Sequence, residues 1–396
     1  MTSRCTHRWF RLGLAGLLFL SAGSVAVAAE AGGVLTREGA YWVKTETGSL
    51  RPTGALKIRT RGPVTVSGGA STTTYTLKTR VKAGSEREAR RLLSQWTLRN
   101  TLLRDVATLT LTWPEHPVAS AEMEVRTTGG SPLYLETWSG DVQVYDIRSD
   151  VFAKTGAGII QMDRIAGQVE ARTAGGNVRL GKIGGGVRCF SGGGTIEVDR
   201  TGGESWFETA GGDVLLSQVG GAAHASTAGG NIRIGRAGGA VIARSAGGRI
   251  EVGEAGGAVV AANSGGSIQV GQAKGVRLEA TGGSIRLRGS SGALRAVSDV
   301  GSILAELIPG VLLQDSALST GRGDITVFLP SNIALTVRAL NESDRIGRIV
   351  SEFPEILVKA SQQQSRQFAE GALNGGGPVL QLTSTGGTIY LRRLKQ

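Results

Sequence analysis

The run Gly175-Gly176-Asn177-Val178-Arg179-Leu180-Gly181-Lys182-Ile183-Gly184-Gly185-Gly186-Val187-Arg188-Cys189-Phe190-Ser191 restarts at Gly193-Gly194-Thr195-Ile196, 18 residues after its beginning. The same Gly-Gly-x-Ile/Val signature returns at Gly211-Gly212-Asp213-Val214, Gly229-Gly230-Asn231-Ile232, Gly247-Gly248-Arg249-Ile250 and Gly265-Gly266-Ser267-Ile268. One shortened step of 17 residues then leads to Gly282-Gly283-Ser284-Ile285. A fixed period of this size marks a stacked repeat. Within each unit apolar and polar residues alternate with period two, so the units are built from strands. Val178 and Leu180 point one way and Arg179 the other; Val187, Cys189 and Ser191 point inward, Arg188 and Phe190 outward.

Each unit contains two half-coils. The first inward position of each half runs Val142, Val151, Ile160, Val169, Val178, Val187, Ile196, Ser205, Val214, Ala223, Ile232, Val241, Ile250, Val259, Ile268, Val276, Ile285, Leu294 and Ile303, every gap being 9 residues except one of 8. A strand of about five residues and a corner of about four make one half, and coils stack about 4.8 Å apart. The chain is therefore read as an all-β protein, a two-sheet β-solenoid (β-helix) with 18-residue coils from about residue 136 to 330. Glycines at the strand ends are expected to supply conformational freedom for tight corners. One inward column is rich in β-branched residues, as a buried strand face requires. A corner column of Thr155, Thr173, Ser191, Thr209, Thr227, Ser245 and Asn263 places small polar groups where they can bond turn backbone.

Two other solenoids are excluded by spacing. A left-handed hexapeptide helix needs an aliphatic residue every six positions, but from Ile250 those positions hold Gly256 and Ala262. A calcium-binding nonapeptide repeat needs an aspartate where Leu180 stands. Composition agrees with a packed repeat: 62 glycines among 396 residues lack a collagen period, and 40% hydrophobic with 19% charged residues excludes wholesale disorder.

The flanks read as caps, because a solenoid exposes strand edges at its ends. Residues 30–135 form a β-rich N-terminal cap with one short helix near 85–97. Ser85 and Glu88 make a capping box there, and Ala89, Leu92, Leu93 and Trp96 follow at helical spacing. Residues 331–396 form a C-terminal cap closing at Thr388-Ile389-Tyr390-Leu391. Residues 1–29 read as a signal peptide. Arg4, Arg8 and Arg11 precede the apolar run Leu12–Leu20, and small residues end at Val25-Ala26-Val27-Ala28-Ala29. Removing those three arginines takes the formal charge from +12 to +9. No transmembrane segment is expected in the mature chain, and its basic residues are dispersed, so nucleic acid is not expected as a partner. Cys189 is then the lone cysteine, so stability in an oxidising compartment must come from packing.

These features resemble the β-strand-repeat family of bacterial envelopes that is often labelled an adhesin and whose function is unknown. The likeness rests on the Gly-Gly-x-Ile/Val coils, the preceding β domain with its short helix, and the ending. That ending reads Ser351-Glu352-Phe353-Pro354, Asn374-Gly375-Gly376-Gly377-Pro378 and Thr385-Gly386-Gly387-Thr388-Ile389. The resemblance implies an exported β-solenoid and brings no catalytic residues.

Enzyme signatures are absent: no H-E-x-x-H, no G-x-S-x-G and no phosphate loop occurs. His116 and His224 have no partners that would complete a triad or zinc site, and no cofactor is expected. Gly321-Arg322-Gly323-Asp324 contains an integrin-type tripeptide beside a strand. One surface carries more apolar side chains than a solvated strand face should: Phe152, Arg188, Phe190, Trp206, His224, Ile242 and Val260, all outward on the second sheet. It is expected either to lie beneath the N-terminal cap or a terminal segment, or to meet a partner, an envelope protein or a glycan, through Trp206 and Arg188. The sequence thus reads as an exported, non-enzymatic envelope or surface interaction module, in the periplasm or on the cell exterior. The alternatives are a periplasmic structural or stress-sensing protein docked on another envelope protein, and a glycan-active enzyme.

Overall fold

The computed structural model describes residues 33–394 except 116–117, 311, 343–347 and 361–365. The leader read at 1–29 and His116 lie outside the described residues.

Two 18-stranded sheets face each other and form a β-solenoid. The first contains Val142–Ile147, Ile160–Ile165, Val178–Ile183 and their successors to Ile325–Leu329; the second contains Val151–Thr155, Val169–Thr173, Val187–Ser191 and successors to Ser316–Thr320. Neighbouring coils pair in parallel at 18-residue register, Val142 with Ile160 and Arg188 with Trp206. The predicted inward positions are all buried, and they form one continuous core between the sheets.

The corner column works as expected and in both directions. The Thr155 hydroxyl donates to the Gly140 carbonyl at 2.8 Å and accepts from the Gly158 N–H at 3.1 Å. Thr173, Ser191, Thr209, Thr227 and Ser245 repeat both bonds one coil at a time. Asn263 performs the same task with its amide, donating to Gly248 and accepting from Gly266. Buried corner backbone that would otherwise lack a partner is satisfied in this way.

The expected reason for the glycines is corrected. None of Gly176, Gly194, Gly212, Gly230, Gly248 or Gly266 has a positive φ. They are needed because coils touch: a Cβ on Gly194 would lie 2.1 Å from the Gly176 carbonyl oxygen. The preceding glycine of the pair, Gly193, faces open space.

The sheets continue through both flanks, and the chain does not visit the outer coils in order. At the N-terminal end Ala55–Thr60 and Val64–Ser67 pair in parallel with Leu133–Thr137 and Val142–Ile147. The later strands Val106–Thr112 and Ala119–Arg126 lie outside them. At the other end Val379–Ser384 and Ile389–Arg393 insert between the coil at Ser316–Leu329 and the earlier strands Leu335–Asn341 and Ile349–Ser351. The last strand is thereby paired on both sides. Antiparallel strands finish the ladders, among them Thr73–Lys82, Tyr41–Leu50 and Val34–Glu38 on the first sheet.

The helix spans Glu86–Leu93, shorter than the periodicity suggests. Ser85 caps it by accepting the Glu88 N–H at 3.3 Å, while the Glu88 carboxylate reaches the Gly84 N–H instead of closing a full box on Ser85. Ala89 and Leu93 pack with Val81 in a small core of their own. Trp96 lies beyond the helix and joins the main core, which is why the apolar spacing overstates the helix length.

Candidate functional site

The outer faces of the two sheets differ in kind. On the first, arginine and glutamate meet across adjacent coils, Arg179 with Glu197 and Arg233 with Glu251. On the second, residues two positions along each strand stack as Tyr134, Phe152, Glu170, Arg188, Trp206, His224, Ile242 and Val260. Six of the seven residues singled out in the sequence share this column. Phe190 stands in the parallel column two residues on, between Arg172 and Glu208.

The column is packed by its own side chains. The Tyr134 and Phe152 rings lie parallel with centroids 4.9 Å apart, and Trp206 and His224 do the same at 5.1 Å. The Arg188 guanidinium carbon sits 5.0 Å from the Trp206 ring centroid. Arg188 and His224 belong to the strands on either side of Trp206, so both faces of the indole are occupied and its edge points outward. His224 Nε2 lies 3.0 Å from a Glu204 carboxylate oxygen, which anchors the ring from the coil corner. Trp206 keeps 38% of its surface exposed and Phe190 45%, so the described residues leave this face open.

Beneath Trp206 the inward column changes character. Ser205 is buried and replaces the usual aliphatic residue. Its hydroxyl accepts the Val187 N–H at 3.2 Å. In the coil before, the equivalent Val169 N–H donates to the Gly186 carbonyl. Ser205 therefore substitutes a side-chain bond for a backbone bond at the corner that carries Glu204, and the strand keeps Trp206 outward. Cys189 lies in the same floor, and burial pushes its thiol well above the ordinary value. The thiolate is thereby disfavoured, and the residue behaves as a small core hydrophobe.

Arg188, Phe190, Trp206, His224 and Ile242 line an open trough of about 720 Å³, floored by Cys189 and Phe207. Sequence reading missed Tyr134, Arg172, Glu208 and Arg244 beside it. Tyr134 was available, being one 18-residue step before Phe152. Glu204 was not, because it is a corner residue whose contact with His224 arises from coil stacking. Among the described residues no group of three or more His, Cys, Asp or Glu side chains is placed to hold a metal ion. No helix among them is long and apolar enough to cross a membrane.

The Arg-Gly-Asp tripeptide belongs to a coil corner. The Asp324 carboxylate accepts the Thr388 N–H at 2.7 Å. This is the bond that Asp141 makes to Ile159 and Asp213 to Asn231 in other coils.

No family model matches the chain, and no curated protein matches it. Solved structures similar to it include a putative adhesin from Parabacteroides distasonis, 10% identical over 62% of this chain and 96% of that one, with a TM-score of 0.39. A putative cell adhesion protein from Clostridium sporogenes is 9% identical over 89% of this chain and 100% of its own, with a TM-score of 0.20. A putative lipid binding protein from P. distasonis is 12% identical over 72% and 97%, with a TM-score of 0.24. None of these likenesses assigns a role to a residue of this chain.

Proposed function

We propose that the protein is an exported, non-enzymatic interaction module of the cell envelope whose binding face is the outer surface of the second sheet. One observation carries this reading. The column from Arg188 to Val260, with Phe190 beside it, presents Trp, Phe, Ile and Arg side chains on the outer face of the second sheet. Protein surfaces enriched in these residue types are characteristic of contact sites, and Trp and Arg contribute most where they are packed.

The face is tested by exchanging Phe190 and Trp206 together for serine and measuring co-sedimentation of purified protein with envelope fragments. Both side chains point outward, so the thermal midpoint is expected to stay within a few degrees. Apparent affinity is expected to fall by about tenfold or more, the scale of a packed aromatic anchor. A first-sheet control, Arg233→Ser, is expected to bind as the parent does. Equal sedimentation of all three proteins would remove the second sheet as the binding face.

The charged, apolar and small-residue order of residues 1–29 supports export. Fractionation is expected to recover the chain outside the cytoplasm, and a cytoplasmic location would overturn that part of the reading. Protease digestion on intact cells would mean the outer surface; protection until the envelope is opened would mean the periplasm.

A further inference from the structure

We propose that the trough on the second sheet takes a linear acidic polysaccharide, laid along the solenoid axis. The proposal rests on the interaction face argued above and specifies its ligand.

Shape is the first argument. Clefts of about 330, 720 and 600 Å³ adjoin along this sheet. The first two share Glu170 and Arg172, and the second and third share Arg244. The third lies on the corner side of the Arg244 column and is lined by no residue of the Trp206 column. The first two run between those two columns from Lys57 to Arg244, and strands spaced about 4.8 Å apart give a run of roughly 35 Å. The walls are two side-chain columns, so the fitting occupant is long and narrow.

Charge is the second. Among the described residues Arg188 and Arg244 have no carboxylate partner, in contrast to Arg179 and Arg233 on the first sheet. Stacking on Trp206 holds the Arg188 guanidinium in place while leaving its N–H edge free. A fixed, planar fork of donors suits a carboxylate. Along the first two clefts Lys57, Lys154, Arg172, Arg188 and Arg244 stand against Glu136, Glu170 and Glu208. Glu136 is paired with Arg59 and Glu170 with Arg172, while Glu208 faces the trough without a cationic partner among the described residues. A ligand carrying only negative charge would be repelled there, whereas one that also offers hydroxyl donors would be held. Carboxylates and hydroxyls on one linear polymer describe a uronate polysaccharide.

The aromatic geometry is the third. Both faces of Trp206 are covered, and Tyr134 and Phe152 cover one face of each other. Face-on stacking of a neutral sugar or a nucleobase at Trp206 is therefore denied. The outward ring edges carry the positive part of the aromatic quadrupole and meet oxygen-rich groups favourably.

The test is calorimetric titration of the full mature chain with polygalacturonate, with neutral dextran and with poly-L-glutamate at matched ionic strength. Polygalacturonate is expected to bind at least about tenfold more tightly than either control, and to weaken with added salt as exposed charge pairs do. Arg188→Gln combined with Arg244→Gln is expected to lose at least about tenfold for polygalacturonate with an unchanged melting midpoint. Glu208→Gln is expected to narrow the preference by improving poly-L-glutamate binding. Prolonged incubation is expected to leave the polymer length unchanged. A preference for poly-L-glutamate would overturn the proposal in favour of an acidic polypeptide, and equal binding of dextran would remove the role of charge. If polygalacturonate fails while the Phe190 and Trp206 exchange still abolishes envelope binding, the face stands and the polysaccharide falls. If both experiments fail, both readings fall. Depolymerisation would make the protein an enzyme.

Discussion

Gly194→Ala is expected to destabilise the protein by about 3 kcal/mol or more, whereas Gly193→Ala next to it is expected to change stability by less than about 1 kcal/mol. The two substitutions are chemically identical and differ only in what the new methyl group meets. At Gly194 the ideal Cβ lies 2.1 Å from the Gly176 oxygen, 2.4 Å from its carbonyl carbon and 2.7 Å from the Asn177 nitrogen. All three are backbone atoms of the preceding coil, so no side chain can rotate away. Relief requires the coils to separate, and separation lengthens ladder bonds on both sides. At Gly193 nothing lies within 4 Å and φ is not positive, so alanine fits and even restricts the unfolded chain. Urea or thermal denaturation followed by circular dichroism reads both. Equal losses for the pair would mean that conformational freedom, and not coil contact, explains these glycines.

Thr155→Val is expected to cost about 2 kcal/mol, and Thr155→Asn appreciably less. Valine keeps the shape but removes a donor to the Gly140 carbonyl and an acceptor for the Gly158 N–H, both in buried bonds. Each abandoned backbone group then pays its desolvation without return, because the corner is closed to water. Asparagine carries a donor and an acceptor on one short side chain, and Asn263 already uses them for the same two bonds in its own coil. A ranking of parent, then Asn, then Val by melting midpoint supports this account. If valine matched the parent, the column would be a packing feature with no hydrogen-bonding role.

The sequence reading and the structure part company at particular residues. Trp96 has helical spacing from Ala89, yet the helix ends at Leu93 and Trp96 packs in the main core. Spacing reports which residues are apolar, and it is blind to which of two cores each enters. The candidate face was legible from Phe152 to Val260, since a column in a solenoid is an 18-residue series. The sandwich of Trp206 between Arg188 and His224 was not, because ring orientation depends on side chains from three coils. Glu204 and Ser205 show the same limit. Their roles are set by a corner and a neighbouring coil, and neither follows from alternation.

Local periodicity alone therefore determined the architecture. Period two specified strands, the 18-residue step specified their register, and the inward and corner columns followed, because every coil sees nearly the same neighbours. Tertiary structure decided what the repeat does not encode. It placed the coil at Val106–Arg126 outside the earlier one at Ala55–Ser67, and it inserted the final strands between two that precede them. It also pressed Gly194 against the backbone of the preceding coil and left Gly193 facing open space. These outcomes depend on distances between segments remote in the chain, and such distances exist only once the coils have stacked.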